Sequence, residues 1–414
     1  MEEMKRGENE TTMSFKLPKC SSEGENHIPE PNNDVIMEIF HRLPVENVYS
    51  LRGVCKKWLD LIDHPVFVNA YLVRSEPCLL IQLRDYATRL LKTYFMEAQR
   101  SGDVVVVQSI DINPDFIITA SCNGLVVVSR GLEYFVVNLS TKRSIRLPPF
   151  PKNCSLYCIR DLSLGFDPRA RQYKAMLSFC DQDQEHVAIT TVGLSESWRL
   201  ISGADQVYCP MHMESSVWAN GAWHWLARSG EHVVSLDAAK EMFFHVLLPY
   251  HQQKNVLLLR LVLYEDRLGV FEHVPLVNFA SCHPRKSDIW VLQDLYKSEW
   301  MKKDHFRVTL PLVRENHMMD YLKSNIAVGG NPIAFLKNRK IALLKGFKLR
   351  YAEFRSGDLY VGENRFSLLA YNVERGEKCI VDGQELLPKS VYDVHVFAHR
   401  KSLVTWNPTP SAAA

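Results

Sequence analysis

The chain has no long hydrophobic run, no dense cysteine framework and no excess of either charge, and each absence removes a class of protein. Its longest apolar stretches, such as Val104 to Val107 and Val256 to Leu263, fall far short of the roughly 20 residues that a membrane helix needs. With no signal core either, the expectation is a soluble intracellular protein, permitted in nucleus and cytoplasm alike, with no membrane partner. Ten cysteines in 414 residues are too scattered for a disulfide-stapled secreted domain, so reduced thiols are expected. Cys154 and Cys158 are the closest pair, but no second Cys or His pair follows at ligand spacing, and His212, His224 and His232 alternate with Trp and Met in strand-like runs. Neither pattern calls for a metal. Lys and Arg number 49 against 47 Asp and Glu, a net charge of +2 that gives no reason to expect a nucleic-acid partner.

Catalytic signatures are missing as well. There is no glycine-rich phosphate loop, no Gly-x-Ser-x-Gly elbow, no His-Glu-x-x-His helix and no RING-like cysteine spacing. Asp161, Asp167, Asp237 and Asp288 are carboxylates that a propeller glycosidase would bring together. Turn formation already accounts for Asp167, which precedes a proline, and for Asp237 in a hairpin turn. No cofactor is expected, and the chain reads as a non-enzyme.

What is present divides into parts. Residues 1–27 are polar, rich in Glu, Ser, Thr and Asn, and read as a tail, as do residues 407–414. From residue 28 to 74 the pattern is helical. Asn33 and Asp34 offer caps, and Val35, Ile36, Ile39, Phe40 and Leu43 follow at helical spacing until Pro44. Leu51, Val54, Cys55, Trp58, Leu59 and Ile62 form a second apolar stripe that Pro65 stops, and Phe67, Ala70 and Tyr71 suggest a further turn. So small a cluster cannot bury all its apolar surface on itself.

Asp34-Val-Ile-Met-Glu-Ile-Phe, Arg42-Leu-Pro44 and Val54-Cys-Lys-Lys-Trp58, in this order and spacing, resemble the F-box. That is the motif by which substrate receptors attach to the Skp-type adaptor of a cullin-RING ubiquitin ligase. Ile28-Pro29 stands about three residues further from Asp34 than the pattern has it. The resemblance implies that Pro29, Ile36, Ile39, Leu43, Pro44, Leu51, Val54, Cys55 and Trp58 divide between a small core and the adaptor contact, with Leu43 and Pro44 favoured as interface and Trp58 and Ile62 as core.

Residues 78–406 switch to short β-branched and aromatic runs between turns, the mark of an all-β domain. A hairpin recurs at 135–149, 189–201, 233–249, 289–306 and 368–381. Turn-led strands precede three of these: SCNGLVVVS from Ser121, WANGAWHWLA from Trp218 and YEDRLGVFE from Tyr264. For the first four hairpins the spacing of about 40 to 55 residues suits propeller blades. The terminal strands of such a ring share a blade, which pairs Val391–Trp406 with the Cys78–Val107 region. The expected architecture is therefore a small all-α cluster followed by a large, kelch-like β-propeller, with a pair of β-sandwiches as the competing fold. No recurring double glycine or Trp-Asp dipeptide sets the blade number.

The phrases Ser121-Cys-Asn-Gly-Leu125, Gly165-Phe-Asp-Pro168 with Tyr173-Lys174, Trp218-Ala-Asn-Gly-Ala222 with His224-Trp225, Ser235-Leu-Asp237 and Asp288-Ile-Trp-Val291 also resemble the F-box-associated domain of plant F-box proteins. That resemblance implies a receptor subunit of a Skp–cullin–F-box ligase whose β domain captures an unknown protein for ubiquitination. Two alternatives stay open: an adaptor-bound regulator that acts without a cullin, and a receptor gated by a small ligand. Buried aromatics dominate interfaces, so Tyr208, Trp223, Trp225 and Trp300 are the candidates for substrate contact, against a default of blade core.

Overall fold

The computed structural model describes residues 32–85, 87–99, 104–150, 159–181, 184–203, 216–227, 231–249, 259–264, 266–272, 286–307, 326–336, 341–355, 358–372, 377–388 and 391–406. Both expected tails, Pro29, Tyr208, His212 and the Cys154–Cys158 pair lie outside these residues.

Four helices come first: α1 (Asn33–Phe40), α2 (Val45–Leu51), α3 (Lys56–Asp63) and α4 (Pro65–Arg74). The cap of α1 is Asn32, one residue earlier than the sequence suggested; its side chain accepts from the Asp34 N–H. Pro44 and Pro65 act as starts rather than stops. Pro44 caps α2 and Pro65 opens α4, where a missing N–H costs nothing.

Twenty-four strands follow among the described residues. They are β1 (Pro77–Asp85), β2 (Leu91–Ala98), β3 (Val104–Ile110), β4 (Ile117–Cys122), β5 (Leu125–Arg130), β6 (Glu133–Asn138), β7 (Arg143–Arg146), β8 (Ile159–Asp167), β9 (Gln172–Asp181), β10 (Gln184–Thr191), β11 (Arg199–Ile201), β12 (Val217–Ala219), β13 (Ala222–Leu226), β14 (His232–Asp237), β15 (Phe243–Leu247), β16 (Leu259–Tyr264), β17 (Arg267–Glu272), β18 (Lys286–Asp294), β19 (Glu299–Arg307), β20 (Ile326–Leu336), β21 (Ile341–Arg355), β22 (Asp358–Asn372), β23 (Glu377–Asp382) and β24 (Val391–Arg400). They make five sheets. Four are antiparallel quartets, β4–β7, β8–β11, β12–β15 and β16–β19; the fifth has eight strands in the order β20-β21-β22-β23-β3-β2-β1-β24. In that double-width sheet, a parallel pairing of β23 with β3 joins two groups of four.

The inner strands β24, β4, β8, β12, β16 and β20 touch in succession, and β20 returns to β24. This closed ring is a β-propeller and rules out paired sandwiches. The closure is the expected one: β24 pairs antiparallel with β1, Pro77 opposite Arg400, so the last strand completes the first sheet.

Turn chemistry explains the hairpins. Asn123-Gly124 and Asn220-Gly221 both have positive φ (51° and 84°; 52° and 78°), as a two-residue hairpin of primed type demands. A second device recurs at Asn138, Asp167, Asp237 and Asp294. Each side chain accepts from the backbone N–H groups two and three residues on. The fourth residue on (Lys142, Arg171, Glu241, Ser298) then turns left-handed, with φ between 53° and 57°. Between two sheets, buried Lys174 reaches Asp167 (3.1 Å), Glu241 (3.0 Å) and the Ala238 carbonyl (2.6 Å).

The helices sit at one end of this ring. Segment 401–406, after β24, runs as a strap between them and the blades. Leu403 is 5% exposed within the helical core, the Ser402 hydroxyl donates to the Asn123 carbonyl, and Asn138 Nδ2 donates to the carbonyls of Ser402 (3.0 Å) and Val404 (2.9 Å). Because neighbouring strands alternate in direction, the β4–β5, β6–β7, β8–β9 and β16–β17 turns share this end. The β1–β2 and β5–β6 turns lie at the other.

Candidate docking surface

Helical periodicity sorts the first segment into two faces. Ile36, Phe40, Val45, Val48, Ile62, Phe67 and Tyr71 are buried together as a core. Around them Leu43, Leu51 and Trp58 are half-buried, Trp58 edge-on to Phe40 at a centroid distance of 5.2 Å. The outward residues are apolar too: Val35 and Ile39, one turn apart on α1, are each 52% exposed, and Val54 is 61% exposed. Pro44 and Cys55 are also exposed.

Specific contacts hold the turns between helices. The Tyr71 hydroxyl donates to the Leu43 carbonyl at 2.8 Å, which fixes the bend that presents Pro44. Arg52 grips Asp63 with two hydrogen bonds, 2.7 and 2.5 Å, so α2 and α3 keep their angle and Val54-Cys55 stays at its tip. Glu38 pairs with Arg74 and Arg42, and those bonds hold its carboxyl below its ordinary pKa. His41 stacks on Phe67 at 4.6 Å, and burial, with Arg74 nearby, pushes its pKa down. Exposed apolar side chains beside a fixed charge cluster have the character of a docking surface.

The expected interface set thus separates. Ile39, Pro44, Val54 and Cys55 face outward. Ile36 does not: at 5% exposure it belongs to the core, because it lies on the α1 face that carries Phe40. Leu43, Leu51 and Trp58 are shared between core and surface. Val35, left out of the expected set, belongs with the outward residues, and its i, i+4 relation to Ile39 was the available signal.

The aromatic candidates on the β domain are corrected more strongly. Trp223 is 0% and Trp225 5% exposed. They project from the same face of β13, which is packed against Met176, Val187 and Ile189 of the β8–β11 sheet, and so neither reaches a partner. Trp300 is half-buried, and its indole N–H donates to the Leu247 carbonyl at 2.7 Å. His224 is a structural histidine: Nδ1 meets Ser235 Oγ at 2.7 Å, Nε2 meets the Ala219 carbonyl at 3.0 Å, and burial lowers its pKa to about 4. Asp161, Asp167 and Asp237 do not form a pocket. Asp161 is buried and accepts from the Ser216 N–H, and the other two cap turns. Among the described residues no three His, Cys, Asp or Glu side chains gather as a metal site, and no helix is long and apolar enough to cross a membrane.

Comparison with known proteins agrees with this layout. The profile described as "F-box domain" matches residues 32–69, and that described as "F-box associated beta propeller domain" matches residues 78–330, more than half of the chain. The chain belongs to the F-box-associated β-propeller family. Its relatives in Arabidopsis thaliana include F-box protein At3g57590, 27% identical over 71% of this chain and 75% of that protein. Another is F-box protein At5g18160, 26% identical over 73% and 77%. Among solved structures, a chain of a nidogen/laminin complex aligns with a TM-score of 0.41 at 8% identity, covering 79% of this chain and 99% of that one. As a plant-type F-box protein, the chain carries the domain that implies binding to a Skp-type adaptor, followed by a propeller suited to substrate binding.

Proposed function

We propose that this protein is the substrate-recognition subunit of a Skp–cullin–F-box E3 ubiquitin ligase. Its helices dock a Skp-type adaptor and, through it, the cullin-RING core, while the propeller holds the protein to be ubiquitinated. The observation that carries this reading is the set of outward apolar residues Val35, Ile39, Pro44 and Val54 around the buried core of the helices. The helices occupy one end of the ring, and the end bearing the β1–β2 and β5–β6 turns is assigned to the captured protein.

The chain contributes position rather than chemistry. Holding a target beside a charged conjugating enzyme raises the effective concentration of its lysines, and bond making belongs to the enzyme and its RING partner. Such a receptor works in nucleus or cytoplasm.

The test is co-purification of the full chain with a Skp-type adaptor and cullin, against an Ile39→Asp/Val54→Asp variant. Both positions are exposed, so the variant keeps its fold and thermal transition while adaptor and cullin are lost. An undiminished complex would overturn the assignment.

A further inference from the structure

Where α4 meets the propeller, the strap leaves an open cleft of about 600 Å³, within the span of small-molecule sites. Its apolar walls come from separate parts of the fold: Leu72 from α4, Phe166 and Tyr173 from β8 and β9, Val404 and Trp406 from the strap. Phe166 and Tyr173 pack with ring centroids 4.9 Å apart. Burial pushes the Tyr173 phenol far above its ordinary pKa, so the wall stays neutral.

Two guanidinium groups line the same cleft from adjacent sheets, Arg143 at the start of β7 and Arg171 in the β8–β9 turn. Both are exposed, and among the described residues neither makes an ion pair. The acidic residue at the cleft, Asp63, is engaged by Arg52 and does not neutralise them. The wall therefore wants a flat apolar body and the rim wants an anion, for which the guanidinium fork is the best-matched donor.

We propose that this seam is a binding site for a small amphipathic anion, its ring system against Phe166, Tyr173 and Trp406 and its single acid group between Arg143 and Arg171. Such a ligand touches α4, two blade sheets and the strap together. Occupancy tightens the joint between docking helices and propeller and stabilises the folded chain by mass action. The site is independent of whether the helices bind an adaptor.

The experiment is isothermal titration of the full chain with naphthalene-1-sulfonate and with its uncharged counterpart 1-naphthalenemethanol. The sulfonate binds one-to-one and at least about tenfold more tightly than the alcohol. An Arg143→Gln/Arg171→Gln variant, whose substituted side chains are exposed, removes that preference and leaves the weak alcohol binding unchanged. Val68→Trp, which fills the α4 side of the cleft, weakens both probes. No saturable binding by the folded chain, equal affinity for the two probes, or an undiminished sulfonate affinity in the double variant would each overturn the proposal. Adaptor co-purification with the same variants separates these outcomes from the ligase reading.

Discussion

Asn138 is the side chain whose loss most directly detaches the strap. Fully buried, it donates from Nδ2 to the carbonyls of Ser402 and Val404 and accepts at Oδ1 from the N–H groups of Ser140 and Thr141. Asn138→Ala breaks all of these bonds and leaves buried carbonyls without donors. At about 1 kcal/mol for each strap bond and about 0.5 kcal/mol for each turn bond, the loss is about 3 kcal/mol. Spread over a domain of this size it lowers Tm by about 4 °C. Hydrogen exchange gives the sharper readout: amides of 401–406 and of α4 exchange about a hundredfold faster, while β12–β15 are unchanged at low denaturant. Asn138→Asp separates the two halves of the effect. The carboxylate keeps the turn acceptor but faces two carbonyl oxygens, so the variant is at least as damaged at pH 7. Its pKa is raised in the folded state, so the variant recovers as the pH falls and the group becomes a donor. Wild-type exchange and Tm in Asn138→Asp at pH 7 would refute the claim that the Nδ2 donations hold the strap.

Other predictions follow from packing and charge. Gly165→Ala places a Cβ 2.5 Å from Trp218 Cζ3 and 2.7 Å from Trp223 Cζ2; both indoles pack against the same core, and denaturant titration should show a loss of about 1–3 kcal/mol. Trp223→Ala, in the same seam, should cost about 3–5 kcal/mol, and Trp300→Ala clearly less, in the same assay. Tyr71→Phe removes the bond to the Leu43 carbonyl, costing about 1 kcal/mol and weakening adaptor affinity in a titration without abolishing it. Buried His224 and His399 have pKa values lowered to about 4 and about 3, chiefly by burial. Both stay neutral in the folded chain while the unfolded chain takes up protons below about pH 6.5. Stability should therefore fall as pH drops from about 6.5 to 4, by about 1–2 kcal/mol for each histidine between pH 6.5 and 5. A pH-independent denaturation midpoint over that range would contradict this.

Much of the ring was legible because its turns are chemically explicit. Asn123-Gly124 and Asn220-Gly221 admit little besides a primed hairpin, and both were visible as phrases leading a strand. The pairing of β24 with β1 also followed from the need to close a propeller. The side chains were harder. In β13 every residue from Ala222 to Trp225 is buried, so the polar-apolar alternation that marks a solvent face is absent, and Trp223 and Trp225 offered no sign of direction. Ile36 and Ile39 are equally apolar, and only the position of Phe40 and Phe67 decides which of them is covered. The left-handed residue four places after Asn138, Asp167, Asp237 and Asp294 went unread because Lys, Arg, Glu and Ser fill it where glycine would have announced it. The cleft beside α4 had no sequence signal at all, since its walls are distant in the chain.

Leu403 belongs to the core of helices made near the beginning of the chain, and the Ser75–Lys401 bond joins residues 326 positions apart. A ribosome thus finishes α1–α4 long before the residue that completes their packing has been synthesised. A chain that stops before Leu403 leaves a gap in that helical core, so the first-made part of the protein reaches its final packing only after the ring-closing strand has been synthesised.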